Sequence, residues 1–230
     1  MDITNLTRNN LLIDQKSYLA ISFVLKLRQQ GDIWLFNCSE GCQHILTRKQ
    51  IKISQISKII ITELHISNIT GLLGLLSSLS LSSRIKTLHI YGPPGLEKYV
   101  EFGRKYSQTN FRYKLHIHKL STGLIVNHPV YQIYSFANYL SHSQLEFLII
   151  SKEKIGKFNL DKAEYFNIIP GPLYGKLKIG NDFLLPDGSI ISGGNFTGEY
   201  DLGYKISFIL KLYYKRKSIE IGWKSQVLIC

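Results

Sequence analysis

Acidic residues are scarce in this chain of 230 residues: 16 Asp and Glu stand against 28 Lys and Arg, a formal net charge of +12. That deficit argues against cationic partners and favours an anionic one, nucleic acid first, with a solvated basic surface as the plainer reading. Cysteine is nearly absent too. Cys38, Cys42 and Cys230 do not make a disulfide framework. Cys38 and Cys42 are spaced C-x₃-C and could offer two thiolates to a metal, but no second pair follows, and burial near a strand end is the simpler reading. No apolar run reaches about 18 residues, which argues against a transmembrane helix. Met1 to Asn10 lacks the apolar stretch of a secretory signal, and no transit signature is present. Internal repeats and low-complexity tracts are also missing. Alanine is sparse while Ile, Lys, Asn and Tyr abound, a bias expected of an AT-rich, organellar or reduced genome.

What is there reads as one globular unit over 1–230, with apolar residues at 44% and charged ones at 19%. Ser17 to Leu27 alternates and predicts a strand, with Ile33 to Asn37 as its hairpin partner across a turn at Gln29 to Asp32. Gly41 to Lys49 predicts a helix. Lys58 to Ile61 is a short apolar run, as in a buried strand. Leu72 to Leu81 is almost wholly apolar and predicts a helix buried on most sides. Thr87 to Tyr91 predicts a strand, broken by Gly92-Pro93-Pro94-Gly95 and followed by a helix over Leu96 to Tyr106. Tyr113 to Lys119, Val130 to Phe136, Leu145 to Ser151, Tyr204 to Leu212 and Val227 to Ile229 read as further strands. Strand–helix alternation early and strands later fit an α/β sandwich of mixed sheets.

The stretch from Gly156 to about Gly180 differs. It carries Lys154 just before it, then Lys157, Lys162, Lys176 and Lys178, and the turn-rich Ile169-Pro170-Gly171-Pro172-Leu173-Tyr174-Gly175. It reads as an extension from the core, and Pro186-Asp187-Gly188 as a tight turn.

Four blocks carry a family resemblance. Gly31-Asp32-Ile33-Trp34-Leu35-Phe36-Asn37-Cys38-Ser39-Glu40-Gly41-Cys42-Gln43 resembles G-D-x-W-L-F-D-C-G-E-G-T-Q. Ile59 to Leu76, containing Thr62-Glu63-Leu64-His65-Ile66-Ser67-Asn68, resembles I-F-I-T-H-L-H-G-D-H-x-x-G-L-P-G-L-L. Leu88 to Pro93 resembles L-x-I-Y-G-P. Gly171 to Lys178, then Leu185-Pro186-Asp187-Gly188, resembles G-P-L-Y-G-K-L-K followed by L-P-D-G. In this order, across roughly 31 to 212, they make the chain similar to ribonuclease Z, the tRNA 3′-end processing endoribonucleases of the metallo-β-lactamase superfamily. The first thirty residues match poorly.

The resemblance implies an αββα sandwich with a protruding Gly-Pro arm at approximately 156–180. It also implies a pair of zinc ions sharing a hydroxide that attacks the scissile RNA bond. The family's first ligand cluster, H-x-H-x-D-H, falls here on Glu63, His65, Ser67 and Asn68. His65 is an imidazole and Glu63 a carboxylate, both able to ligate zinc. Ser67 is a poor ligand at neutral pH, and Asn68 offers a weak amide oxygen. The next family histidine falls on Leu140, or on His142 if two residues are gapped. The bridging aspartate falls on Lys211, a cation facing where two metal ions would stand; at about 4 Å and an effective dielectric near 20, one such charge against a dication costs about 8 kcal/mol. Ser225 to Cys230 resembles the strand leading into the family's last H-E-A-T block, so the second half of the sandwich is expected to be incomplete.

These residues predict that zinc is not retained and that His65 serves as an ordinary core or loop histidine, with Glu63, His65 and His142 as a vestigial metal set. The arm carries the expected RNA contacts: Gly171, Pro172, Tyr174, Gly175, Lys176 and Lys178, the lysines on phosphates and Tyr174 either on a base or packed at the arm's foot. The expected protein is a catalytically degenerate relative that binds tRNA or its precursor, alone, as a homodimer, or paired with an active homologue. An active zinc endonuclease with an unusual site and a decaying reading frame are the alternatives. The expected compartment is the plastid, with bacterial cytoplasm second and no membrane partner.

Overall fold

The computed structural model describes residues 2–6, 21–27, 31–138, 141–153, 155–184, 188–200, 203–209 and 216–229. Its first sheet has six strands in sequential order: β1 (Asp2–Asn5), β2 (Phe23–Leu27), β3 (Asp32–Phe36), β4 (Ile56–Ile60), β5 (Leu88–Gly92) and β6 (Leu115–Lys119). β1, β2 and β3 pair antiparallel, and β3 to β6 run parallel. Parallel neighbours need crossovers. They are supplied by α1 (Cys42–Arg48), by the short α2 (Ile66–Ile69) with α3 (Leu72–Leu81), and by α4 (Leu96–Ser107).

The sequence pattern decides which face each helix buries. In α3, Leu72, Leu75, Leu76 and Leu79 recur at the helical period and are buried, together with Ser80. The expectation of burial on most sides is corrected: Leu81 is 84% exposed, so one stripe packs on the sheet. Leu73 rests instead on α4, where a Cβ at Gly103 would lie 2.6 Å from its Cδ1. These helices and the strand residues Leu35, Ile59, Leu88 and Ile90 form one apolar core.

A second sheet covers the other face. β7 (Gly123–Asn127), β8 (Tyr131–Asn138) and β9 (Ser141–Ser151) form a meander, extended by β12 (Lys205–Phe208) and β13 (Val227–Ile229) in the order β13-β12-β9-β8-β7. Between the sheets lies a second core of Phe23, Trp34, Phe36, Phe147, Ile206 and Phe208. Phe23 and Phe36 stack at 4.4 Å, and Phe147 meets Phe36 edge-on at 6.0 Å. Trp34 Nε1 is the one buried side-chain donor or acceptor without a partner among the described residues. Ser207 alternates with Ile206 and Phe208 and so faces outward, where its hydroxyl donates to Ile221 O of α7 (Arg216–Gly222). Helix, sheet, sheet and helix thus stack in the expected αββα order. No helix among the described residues is long and apolar enough to cross a membrane.

Residues 158–197 build a third, small cluster. α5 (Leu160–Tyr165), α6 (Pro172–Lys178) and the two-stranded ribbon β10 (Phe183–Leu184) with β11 (Ile190–Ile191) bury Ala163, Ile168, Leu177, Ile191 and Phe196. A bridge between Phe158 and Thr197 closes its base. The turn-rich reading of Ile169 to Gly175 is corrected for its second half. Pro172 occupies the first turn of α6, where its missing N–H costs nothing and its fixed φ suits the helix. Lys154 and the Pro186-Asp187 part of the predicted tight turn lie outside the described residues, as do 17–20 of the first predicted strand, 29–30 of the hairpin turn and 210–212 of the strand predicted over Tyr204 to Leu212.

Candidate functional site

The C-terminal ends of parallel strands are where open α/β sheets bind ligands. Three loops meet there: 37–41 after β3, 61–65 after β4 and Pro93–Gly95 after β5. Their contact is built from backbone and short polar side chains. Asn37 adopts the left-handed conformation, φ 54°, which Asn tolerates better than most residues. Its backbone N donates to Ile60 O at 2.9 Å. Its side-chain Oδ1 accepts from both Thr62 N (2.9 Å) and Thr62 Oγ1 (3.0 Å), and its Nδ2 donates to Ile21 O at 2.8 Å. Ser22 Oγ donates to Asn37 O. Asn37 and Thr62 are both buried, so the pair locks the end of β3 to the start of the loop that carries Glu63 and His65.

The far end of that loop is tied to the same segment. Cys38 N donates to Asn68 O at 2.7 Å, and Gly71 N donates to Cys38 O at 3.0 Å. A Cβ at Gly71 would sit 2.1 Å from Ser39 O, so only glycine permits this approach. The C-x₃-C pair lies underneath. Cys38 and Cys42 are fully buried in the helix-side core with their sulfurs 2.9 Å apart. Burial first, and the Cys42 sulfur beside it second, raise the Cys38 pKa. Cys38 therefore stays a protonated thiol at neutral pH, which is neither a good nucleophile nor a good ligand.

Within the loop the four cluster positions bind one another. His65 caps α2: its Nδ1 accepts from Ser67 N at 3.4 Å and meets Ser67 Oγ at 2.6 Å. Asn68 is buried and its Nδ2 donates to Glu63 Oε1 at 3.0 Å. Glu63, His65 and Ser67 are half-buried. A pair of zinc ions needs several imidazole and carboxylate donors aimed at one point. This cluster supplies one of each, and the Asn68 amide nitrogen, a donor, is turned toward the Glu63 carboxylate. The set does not fit a dinuclear centre. Among the described residues, no group of three His, Cys, Asp or Glu stands where it could hold a metal ion. His142 lies on β9, and Leu145 of that strand donates to Thr62 O at 3.1 Å. β9 therefore reaches this loop, while the His142 side chain lies outside the described residues. So do Leu140 and Lys211.

The predicted RNA-contact residues lie together on α6 and its start. Gly171, Pro172, Gly175, Lys176 and Lys178 are exposed. Tyr174 is half-buried. Its ring packs on Phe158 at 4.9 Å and its hydroxyl donates to Ile168 O at 2.8 Å, so it takes the place at the foot of the cluster. The Asn37–Thr62 lock and the Gly71 approach were not predicted. The only sequence signal for either was membership of the two longest matching blocks.

No family model matches the chain. Individual relatives do. A protein named ribonuclease Z from Microcystis aeruginosa is 40% identical over 219 residues, 94% of this chain and 68% of the relative. The uncharacterized protein ycf56 of Porphyra purpurea is 41% identical over 210 residues, 91% of this chain and 80% of its own length. Among solved structures, the short form of human tRNase Z superposes with a TM-score of 0.56 at 28% identity, over 66% of this chain and 64% of that one. The layering is that of metallo-β-lactamase-fold structures.

Proposed function

This chain belongs to the ribonuclease Z family, and on that premise we propose that it holds tRNA or a tRNA precursor without a dinuclear zinc centre of its own. One observation carries the reading. At the first ligand cluster, Asn68 donates to Glu63 and Ser67 engages His65, so hydrogen bonds hold the loop where the family chemistry would use metal ions. The chain would act as an accessory subunit, as a homodimer or beside an active homologue that supplies the hydrolytic centre.

The holding surface is the arm, here taken as approximately 156–180. Lys176 and Lys178 lie two apart near the end of α6, both exposed. Such lysines meet phosphates and set position without reading bases. The net charge of +12 supplies the wider attraction. Kinship with a ycf56 protein of a red alga and with cyanobacterial ribonuclease Z supports a plastid setting.

The test is filter binding of a precursor tRNA across a salt series, with zinc analysis of the same preparation. Binding at low salt that weakens linearly in log–log form is expected, and Lys176→Glu with Lys178→Glu should shallow the slope by roughly two. No binding at low salt defeats the holding role. Two zinc ions per chain together with precursor cleavage would replace it with an active endonuclease.

A further inference from the structure

Histidine is concentrated at one sheet edge that the proposed role has not used. On β5, Leu88 and Ile90 enter the helix-side core, which places His89 and Tyr91 on the opposite face. On β6, Leu115 and Ile117 pack against that same core, which places His116 and His118 on the opposite face as well. The strand register pairs His89 with His116 and Tyr91 with His118. Rings on adjacent strands then stack. His89 and His116 lie 5.4 Å apart at 17°, His89 and His118 5.3 Å at 20°, and Tyr91 and His118 4.6 Å at 17°. His89 Nδ1 and His118 Nε2 are 3.0 Å apart.

The row continues inward. Lys58 pairs with His89 across β4, and Trp34 with Lys58 across β3. The Lys58 ammonium sits over the Trp34 ring at 5.1 Å and interacts with Asp32. At the outer end the row stops with β6, the last strand of its sheet, where His116 and His118 are exposed. The open end therefore offers π faces that no further strand among the described residues covers. At the other side, Tyr91 O accepts from Ile61 N at 2.8 Å, two residues before Glu63. The stack leads from an open edge toward the candidate loop.

We propose that this histidine–tyrosine stack is a platform for unpaired nucleobases, binding a single-stranded RNA segment that runs along the β6 edge toward the loop at 61–65. Every base has a π face, so aromatic and imidazole rings hold single strands with little regard to sequence. Flat rings beside a lysine, on a chain with an excess of 12 positive charges, suit a polyanion carrying flat bases. The inference rests on the RNA-holding reading above but uses a different surface from the arm, so the two can fail separately.

The experiment is fluorescence anisotropy with labelled ten-nucleotide oligoadenylate and oligouridylate, too short to fold, on the full chain. The intact protein should bind oligoadenylate more tightly, because adenine stacks better. His116→Ala with His118→Ala should weaken oligoadenylate binding about tenfold. His118→Phe, which keeps a ring, should stay within about threefold of the parent, and Lys176→Glu with Lys178→Glu should leave the oligomer bound. The platform is overturned if the intact chain binds neither oligomer, or if the double alanine variant, folded by circular dichroism, binds within twofold of the parent. It is equally overturned if the phenylalanine variant falls as far as alanine. Oligomer binding that depends on the two histidines, with no binding of precursor tRNA, supports the platform while sinking the arm.

Discussion

Replacing Asn37 by aspartate changes one functional group at the centre of the candidate site. The shape is kept, and aspartate accepts the left-handed backbone as asparagine does. Both bonds from Thr62 to Oδ1 survive. The donation from Nδ2 to Ile21 O at 2.8 Å does not, because a carboxylate oxygen would face a carbonyl oxygen there. A buried hydrogen bond lost with one partner left unpaired costs about 1–3 kcal/mol, more when the new group is charged. Asn37 is 1% exposed, so little water can compensate, and the expected loss is about 3 kcal/mol at pH 7.5. That is a large part of the roughly 5–15 kcal/mol holding a domain together. The sign with pH is determinate. Burial and the facing carbonyl favour the protonated acid, so the folded pKa of the new aspartate rises above its unfolded value. The folded state then binds the extra proton, and the penalty fades as pH falls toward the unfolded carboxyl range. Urea unfolding of parent and variant at pH 7.5 and 5, compared pairwise at each pH, measures this. A difference below about 1 kcal/mol at pH 7.5, or one that does not shrink on acidification, would refute the account of the lock.

Three further outcomes are expected. Gly71→Ala puts a methyl group against the Ser39 carbonyl and should cost more than about 2 kcal/mol, whereas Gly175→Ala, with open space around it inside α6, should be neutral or stabilise by about 0.5–1 kcal/mol; denaturant titration of both variants reads the contrast. Burial first, and then neighbouring cationic or imidazole groups, lower the pKa of His89 (facing His118, Lys58 and His116) and of His118 (facing His116) from the ordinary 6.5. The unfolded chain then takes up protons before the folded one, so this stability is complete above about pH 6.5 and lost as pH falls below it; melting temperatures from pH 7.5 to 5 should decline, less so in His89→Gln, and a flat profile would contradict the shifts. Removing the cation at Lys58→Met leaves its stem on Trp34 but ends the cation–π contact, for an expected loss of about 0.5–2 kcal/mol, read by thermal melting.

The layers of the fold were legible because they follow local periodicity. Leu72, Leu75, Leu76 and Leu79 announce α3 by their spacing, and its bounds match the prediction. β13 likewise falls on Val227–Ile229 as read. What escaped was either too short or decided elsewhere. β7 has only Leu124, Ile125 and Val126 between Gly123 and Asn127, and its pairing with β8 slips at that point, so no alternation marks it. α6 hides behind Pro170 and Pro172, which signal a turn until the second is seen to open a helix. The burial pattern of α3 depended on how far α4 covers it, and Leu81 lies past that cover.

The candidate site shows a sharper division. The spacing of Glu63, His65, Ser67 and Asn68 is written in six consecutive residues and could be read directly. The lock that positions them joins residues 25 apart and exists only once β3 and β4 lie in register. The histidine stack is the same case: L-H-I-Y and L-H-I-H each declare a face by alternation, but their meeting depends on β5 and β6 pairing 27 positions apart. Backbone amides, Gly71 and Asn37 hold the loop open at the strand ends, and none of them would be a metal ligand. The frame that carries the loop is thus built from groups other than the Ser67 and Asn68 side chains.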